Sequence, residues 1–397
     1  MTINPPLFVL VEGDSRDGAA LAAQAKAHGM TVTVLTDASG ATDVDSRSCD
    51  TTDPACIVRC VLGLMSRHTV AALLPGQERT LVAAVAAARA LGLDGPDPAA
   101  VWDTHQKPRA RALSNGLAAN PVPFWLLEHR DDVASVPASH YPVVAKPPAA
   151  RGGVGVMACS SPSELKNYVA EWLGAPDHRG KPIAGPLLAE KFVSGPEYAV
   201  ELFHGIPVAM GRKTVGGPTG FVELASELAA WHRWEERLLL APFVERLVQR
   251  LGLDWGPVHI EVRIENGVPR LIEASWGLPG GMIPELIKLA TGIDYYRCLA
   301  DAACGIDVKP EPVQDRCAAV RFVTTPVSGR IAGHNLAGAL ALDGVADAAV
   351  YRQRGEFVPT TTHAGLRLGH VLATGSTTGQ AAATATAGVK RLDLRVA

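Results

Sequence analysis

The chain has 397 residues, 47% of them hydrophobic and 19% charged, with a formal net charge of -3. That length exceeds one ordinary core and implies two to four units, while the composition excludes a disordered chain. The near-neutral charge without a basic run argues against nucleic acid as the main partner. The lack of a membrane-length apolar run or a signal-peptide layout leads us to expect a cytoplasmic protein with no membrane contact.

Leu-Phe-Val-Leu-Val at 7–11 reads as a buried strand, followed by the loop Glu12-Gly13-Asp14 and an alanine-rich helix over about 18–28. Thr31 to Leu35 and Ala71 to Leu74 read as further strands, and a helix is expected from about Glu78 to Leu91. Alternating strands and helices predict a parallel α/β unit over 1–95, with ligands expected at the loops that hold Asp14 and Glu78. No full G-x-G-x-x-G is present, which argues against a dinucleotide site. Cys49, Cys56 and Cys60 lie close in sequence. With Cys159, Cys298, Cys304 and Cys317 they make seven cysteines, read as reduced structural thiols because no Cys-x-x-Cys or His pairing suggests zinc.

Lys107 precedes a short helix. Tyr141 to Pro147 is a strand that ends in Lys146 and runs into Arg151-Gly152-Gly153-Val154-Gly155. A lysine at a strand end beside a glycine-rich turn suits phosphate, because the glycines let backbone N–H groups approach and the ammonium supplies a point charge. No Lys-Ser/Thr follows the glycines, so this is not a Walker loop. Helices are expected over 162–173 and 235–251. Leu187 to Glu201 reads as a strand, a connection and a second strand. The stretch 211–230 reads as a glycine-rich loop and lid.

The most informative stretch is His259 to Ser275. Ile260, Val262 and Ile264 alternate with His259, Glu261 and Arg263, and Ile272 and Ala274 alternate with Glu273 and Ser275. Asn266-Gly267 supplies the turn. A two-residue turn alone would put Glu261 and Glu273 on opposite faces, whereas an odd loop with Gly267 as a bulge residue puts them on one face, which the apolar alternation favours. Two carboxylates about 4 Å apart repel by roughly 4 kcal/mol at an effective dielectric near 20. A divalent cation removes that cost, and carboxylates with phosphate oxygens suit Mg²⁺. From about 306 a strand-rich unit follows, with strands over 318–324, 348–352 and 369–374 and a helix around 378–388.

In this order the four motifs resemble the ATP-grasp superfamily of ATP-dependent carboxylate–amine ligases. They are Lys107, Lys146 with its glycine turn, Glu190-Lys191-Phe192-Val193 with Glu197, and the Glu261/Glu273 hairpin. The branch most similar is that of the L-amino acid ligases (dipeptide synthetases), whose layout is biotin-carboxylase-like. The resemblance implies an ATP-grasp fold of mixed α/β and α+β class. Its parts would be an N-terminal parallel α/β domain over 1–95, a two-lobed core over 96–305 with a lid at about 125–195, and a strand-rich C-terminal domain over 306–397. It implies ATP and Mg²⁺ as cofactors, with Mn²⁺ as an alternative, small-molecule carboxylate and amine substrates, and leaves room for a homodimer.

By resemblance Lys107 and Lys146 contact phosphates, with Gly152, Gly153 and Gly155 around them. Glu190 and the backbone of Phe192 and Val193 hold the adenine, and Glu197 holds the ribose. Glu261, Glu273 and Ser275 take the metal. The implied reaction is amide formation through an acyl phosphate. Purine-pathway or bicarbonate activation and a degenerate ATP-binding module are the alternatives. Two departures stand out. Ser275 and Gly277 occupy the places of the family's Asn-x-Arg, so Arg321 or Arg330 is expected to replace the lost arginine. Phe221 to Ser226 lacks the histidine usual in the dipeptide branch.

Overall fold

Strand β1 (Leu7–Val11) lies at the inside of a four-stranded sheet with β2 (Thr31–Thr36), β3 (Asp45–Ser48) and β4 (Val70–Pro75), in the order β3-β2-β1-β4. Every pairing in it is parallel. Leu7, Val9 and Val11 pack into one apolar cluster and Phe8 and Leu10 into another, so β1 is buried on both faces. That double burial is why its sequence is an unbroken apolar run. Helices α1 (Arg16–Ala27), α2 (Pro54–Met65) and α3 (Leu81–Ala90) accompany the sheet. The computed structural model describes residues 5–37, 45–117, 121–176, 183 and 185–397. None of its described helices is long and apolar enough to cross a membrane.

Helices α4 (Pro98–His105) and α5 (Lys107–Asn115) lead to a second sheet of four strands, β5 (Phe124–Leu127), β6 (Val143–Lys146), β7 (Met157–Cys159) and β8 (Leu187–Lys191). These are ordered β5-β8-β6-β7 and backed by α6 (Pro162–Trp172). The third sheet is the largest. Strands β9 (Glu197–Phe203), β10 (Ile206–Gly216), β11 (Val222–Ala230), β12 (Pro257–Glu265) and β13 (Val268–Trp276) join β14 (Cys317–Val323), β16 (Val345–Val350) and β18 (Gly369–Gly375). Between them fall β15 (Gly329–Gly333) and β17 (Phe357–Val358), which pair in a small sheet with β19 (Arg395–Val396). Helices α7 (Arg237–Leu251), α8 (Ile283–Thr291), α9 (Tyr295–Ala303), α10 (Leu336–Leu340) and α11 (Thr378–Leu392) complete the chain. Because β11 pairs with β14, the large sheet runs continuously past residue 306.

Two local readings change. The 211–230 stretch is not an open lid loop: it is mostly the β10–β11 hairpin, which pairs from Ala209–Ala230 to Gly216–Val222. The second change concerns how the β12–β13 hairpin sets its parity. Asn266 and Gly267 both have positive φ, 51° and 76°, and Glu265 pairs with Val268, so the turn has two residues of the primed type. The extra residue lies further along the ladder. Val262 pairs with Leu271 but Glu261 pairs with Glu273, which leaves Ile272 as a β-bulge. The glutamates therefore share a face as expected, through the bulge rather than an odd loop. Leu271 and Ala274 enter the core, while Ile272 lines a cavity instead of continuing the apolar face. Open space surrounds Gly267, so Gly267→Ala meets only backbone strain. We expect it to cost about 1 kcal/mol, read as a lower denaturant midpoint with unchanged m-value.

Candidate active site

The three larger sheets converge on a cavity of about 490 Å³. Its walls come from the loop after β4 (Gly76, Glu78), the first residue of α5 (Lys107), the β6–β7 connection (Arg151 to Gly153) and the β12–β13 hairpin. Glu223 of β11 and Arg367, just before β18, also reach it.

Glu273 is held by two cations on one oxygen. Arg151 donates to its Oε1 at 2.5 Å, and the Lys107 ammonium lies 3.5 Å from the same oxygen. Arg151 also pairs with Glu78 at 2.9 Å, and the Lys107 ammonium reaches the Ala150 carbonyl. Burial works to raise the Glu273 pKa, but Lys107 and Arg151 outweigh it and hold the carboxyl below its ordinary value. Burial, with Arg151 and Lys146 adding to it, lowers the Lys107 pKa. Burial, then Arg151 and Lys107, bring His105 down to about 4, so the imidazole beside Arg151 is neutral.

Glu261 sits in a second network. Its Oε1 accepts from the Lys213 ammonium and from His259 Nε2 at 3.1 Å. His259 Nδ1 donates to Glu201 at 2.8 Å, and Glu201 is fully buried. Burial opposes a charged imidazole, but Glu201 and Glu261 outweigh it and push His259 up to about 10. Glu261 is correspondingly held well below the usual carboxylate range: burial would raise it, and Lys213 and His259 override that. Lys213 bridges on to Glu197 at 3.1 Å, and Glu197 also accepts from Arg263 at 2.9 Å.

The third cluster is Arg111–Glu190–Lys146. Arg111 donates to Glu190 Oε2 at 2.9 Å, and the Lys146 ammonium takes Oε1. All three side chains are buried. Both Glu190 oxygens are thus engaged by cations, Arg111 on one and Lys146 on the other. Its contacts fix Lys146 at the strand end.

Of the expected residues, Lys107, Lys146, Gly152, Gly153, Glu190, Val193, Glu197, Glu261, Glu273 and Ser275 line the cavity. Gly155, Phe192, Arg321 and Arg330 do not. A Cβ at Gly155 would come within 2.8 Å of Pro147 and Trp172, so its smallness serves packing. The Phe192 N–H is spent on the Pro142 carbonyl at 3.1 Å, and its ring lies under the Arg263 guanidinium at 5.3 Å. Arg321 pairs with Glu227 at 2.5 Å and reaches Thr386 of α11. Arg330 is exposed and donates to the Gly355 carbonyl. The C-terminal arginine that does line the cavity is Arg367. It bonds the Glu223 carboxylate at 2.9 Å and carbonyl at 2.8 Å, and stacks on Phe322 at 3.6 Å. Glu223 Oε1 is buried without a hydrogen-bond partner, so one oxygen remains for a donor from a ligand. Arg111, Lys213, Glu201, Glu223 and Arg367 carried no assigned role in the sequence.

The ATP-grasp domain family matches residues 139–282, and the family described as L-amino acid ligase C-terminal domain 2 matches residues 321–397. Residues 139–282 thus form an ATP-grasp domain, and the chain has the ATP-grasp fold. The first match takes in Lys146 and both paired glutamates, and the second takes in Arg367. The uncharacterized protein y4rH of Sinorhizobium fredii (strain NBRC 101917 / NGR234) is 29% identical over 289 residues, 72% of this chain and 60% of that protein. Dapdiamide A synthase of Enterobacter agglomerans is 25% identical over 185 residues, 45% of this chain and 41% of that enzyme. The chain thus spans less than two thirds of either relative. The crystal structure of L-amino acid ligase from Bacillus licheniformis superposes with a TM-score of 0.80 at 20% identity, covering 100% of both chains. At that identity the likeness carries the ATP-grasp fold alone.

Proposed function

We propose that this protein is an ATP-dependent ligase that joins a small-molecule carboxylate to an amine, both amino-acid-like, with release of ADP and phosphate. The observation that carries the reading is the pairing of Glu261 with Glu273 across the Ile272 bulge, in one cavity with Lys107, Lys146 and Arg151. The donor set fits a hard cation: two carboxylates on adjacent strands, a neighbouring Ser275 hydroxyl and room for phosphate oxygens. Glu261, Glu273 and Ser275 would hold Mg²⁺. When bound it neutralises charge on the phosphates.

The chain's own groups do the rest. Lys107, Lys146 and Arg151 draw the triphosphate to one side of the cavity. Gly152 and Gly153, both at positive φ, offer a turn that backbone N–H groups can use. The substrate carboxylate attacks the γ-phosphorus, ADP leaves, and an acyl phosphate forms. The amine then attacks the acyl carbon, gives up a proton, and phosphate departs. Glu223 Oε1 is placed to receive the ammonium or the proton it sheds. Arg367 supplies the positive charge that Gly277 lacks. A dry pocket strengthens each of these interactions and protects the acyl phosphate from water.

Phosphate release with Mg²⁺, ATP and a panel of amino acids, followed by mass measurement of the product, tests this. Release that needs both partners and yields an amide supports the ligase. ATP binding without turnover under any mixture supports a binding module, to which Gly277 points. For Arg367→Met we expect kcat about 100-fold lower with ATP affinity nearly unchanged, and partial recovery in Arg367→Lys. A defect confined to ATP affinity would remove Arg367 from the reacting end.

A further inference from the structure

Outside the cavity, β3 and α2 bring three cysteines together. The sulfurs of Cys49, Cys56 and Cys60 all lie within 4.8 Å of one another, and Cys49 Sγ is 3.4 Å from Cys56 Sγ. No other set of three or more His, Cys, Asp or Glu ligand atoms comes this close among the described residues. Two features of the sequence place them. Cys56 and Cys60 are four apart on α2, so both face the same side of the helix. Cys49 follows directly on β3, where its N–H pairs with the Thr36 carbonyl. The loop between them is fixed as well. Thr51 donates to the buried Glu12 at 2.9 Å, and Asp53 caps α2 ahead of Pro54.

From this arrangement we infer that Cys49, Cys56 and Cys60 form a three-thiolate site for a soft monovalent cation, copper(I) being the ion it suits. Thiolates select soft ions, and three sulfurs with no fourth protein ligand of the usual kinds among the described residues match a low-coordinate one; structural zinc takes four. The cluster is accessible from one side. Cys49 is buried, whereas Cys56 and Cys60 are half-buried, so an ion enters past α2 onto a ready base. Cys56 also lies in the first turn of α2, where helix N–H groups favour a thiolate. Binding replaces three S–H protons by one ion, with no redox step. The ring of Thr51, Glu12 and Arg79 contacts then ties an occupied site to the loop before α3, because Arg79 bonds both Glu12 and Gln77.

Anaerobic titration of the full chain with copper(I) against a chromophoric chelator reads the site directly, without any assay of turnover. The expected result is one copper per chain with ultraviolet sulfur-to-copper charge transfer. Cys56→Ser and Cys60→Ser each weaken binding about 100-fold or more. Both replaced thiols are half-buried, and circular dichroism verifies that each variant is folded. Cys298→Ser, outside the cluster, retains wild-type affinity. Wild-type stoichiometry in the Cys56→Ser/Cys60→Ser double variant overturns the site. Zinc held at the three sulfurs in preference to copper overturns the low-coordinate assignment.

Discussion

Glu273→Gln is expected to reduce substrate-dependent phosphate release about 1000-fold, roughly 4 kcal/mol of transition-state stabilisation. The amide keeps the shape of the side chain and removes its charge. Two consequences follow, and they separate binding chemistry from folding. Without the carboxylate, Lys107 and Arg151, which both contact the same Glu273 oxygen, keep Glu78 and the Ala150 carbonyl as their nearest counterweights. Removing one partner of such a half-buried pair costs about 2 kcal/mol. Part of that returns here, because triphosphate supplies a new negative partner for both cations. ATP should therefore still raise the melting temperature of the variant, while Mg²⁺ raises it less than in the parent. The kinetic signature is a metal dependence. Phosphate release by the variant should recover in part as Mg²⁺ or Mn²⁺ is raised, since Glu261 and Ser275 remain as ligands. Metal-independent, parent-like turnover in Glu273→Gln would end the assignment of this hairpin as the cation site. Glu190→Gln makes a useful contrast. Its loss frees Lys146 from the carboxylate that it shares with Arg111, so the defect should appear in ATP affinity and leave the metal dependence unchanged.

The hairpin also marks how far the sequence could be read. Alternation placed Glu261 and Glu273 on one face, and the structure agrees, but two devices give the same parity. Asn-Gly is a strong signal for a two-residue turn, and that turn forms. The remaining odd residue had to be absorbed elsewhere, and the adjacent apolar pair Leu271-Ile272 is where the ladder shifts. Periodicity sees the net parity and not the position of the bulge. The parallel N-terminal strands were legible because both faces are buried. The polar strand Asp45–Ser48 was not, since nothing in Asp-Ser-Arg-Ser alternates. Helix α2 was missed although Asp53-Pro54 is a cap followed by a first-turn proline. The arginine that reaches the cavity was beyond sequence alone. Arg321, Arg330 and Arg367 all lie in the C-terminal segment, and only long-range pairing of β14 with β11 and β18 decides which one points inward. The partners of the glutamates were hidden for the same reason. Lys213 meets Glu261 across 48 residues, and Arg111 meets Glu190 across 79.

The second large effect is a pH-dependent stability that resides in His259. Its imidazole bridges Glu201 and Glu261, and its pKa rises from 6.5 to about 10 on folding. A group whose folded pKa lies above its unfolded value stabilises the fold fully below the unfolded pKa. That stabilisation is lost as pH climbs through the folded pKa. The window is therefore about 6.5 to 10, set by the two values for this residue. A shift of that size corresponds to at most about 5 kcal/mol, because part of it belongs to the neighbouring Lys213–Glu261 pair. Denaturant unfolding of the parent and of His259→Gln at a series of pH values reads the effect as a difference, so the thiols and lysines common to both proteins cancel. The difference should be largest near pH 6 and should shrink steadily toward pH 10. Glu201, with no exposure to solvent, is the reason the variant is costly at low pH: it is left charged and buried, or must take a proton. Adding Glu201→Gln to His259→Gln should recover most of the loss, since two amides can satisfy each other without charge. A pH-independent difference between parent and His259→Gln would mean the imidazole is neutral, and Glu261 would then depend on Lys213 alone to stay ionised when no cation is bound.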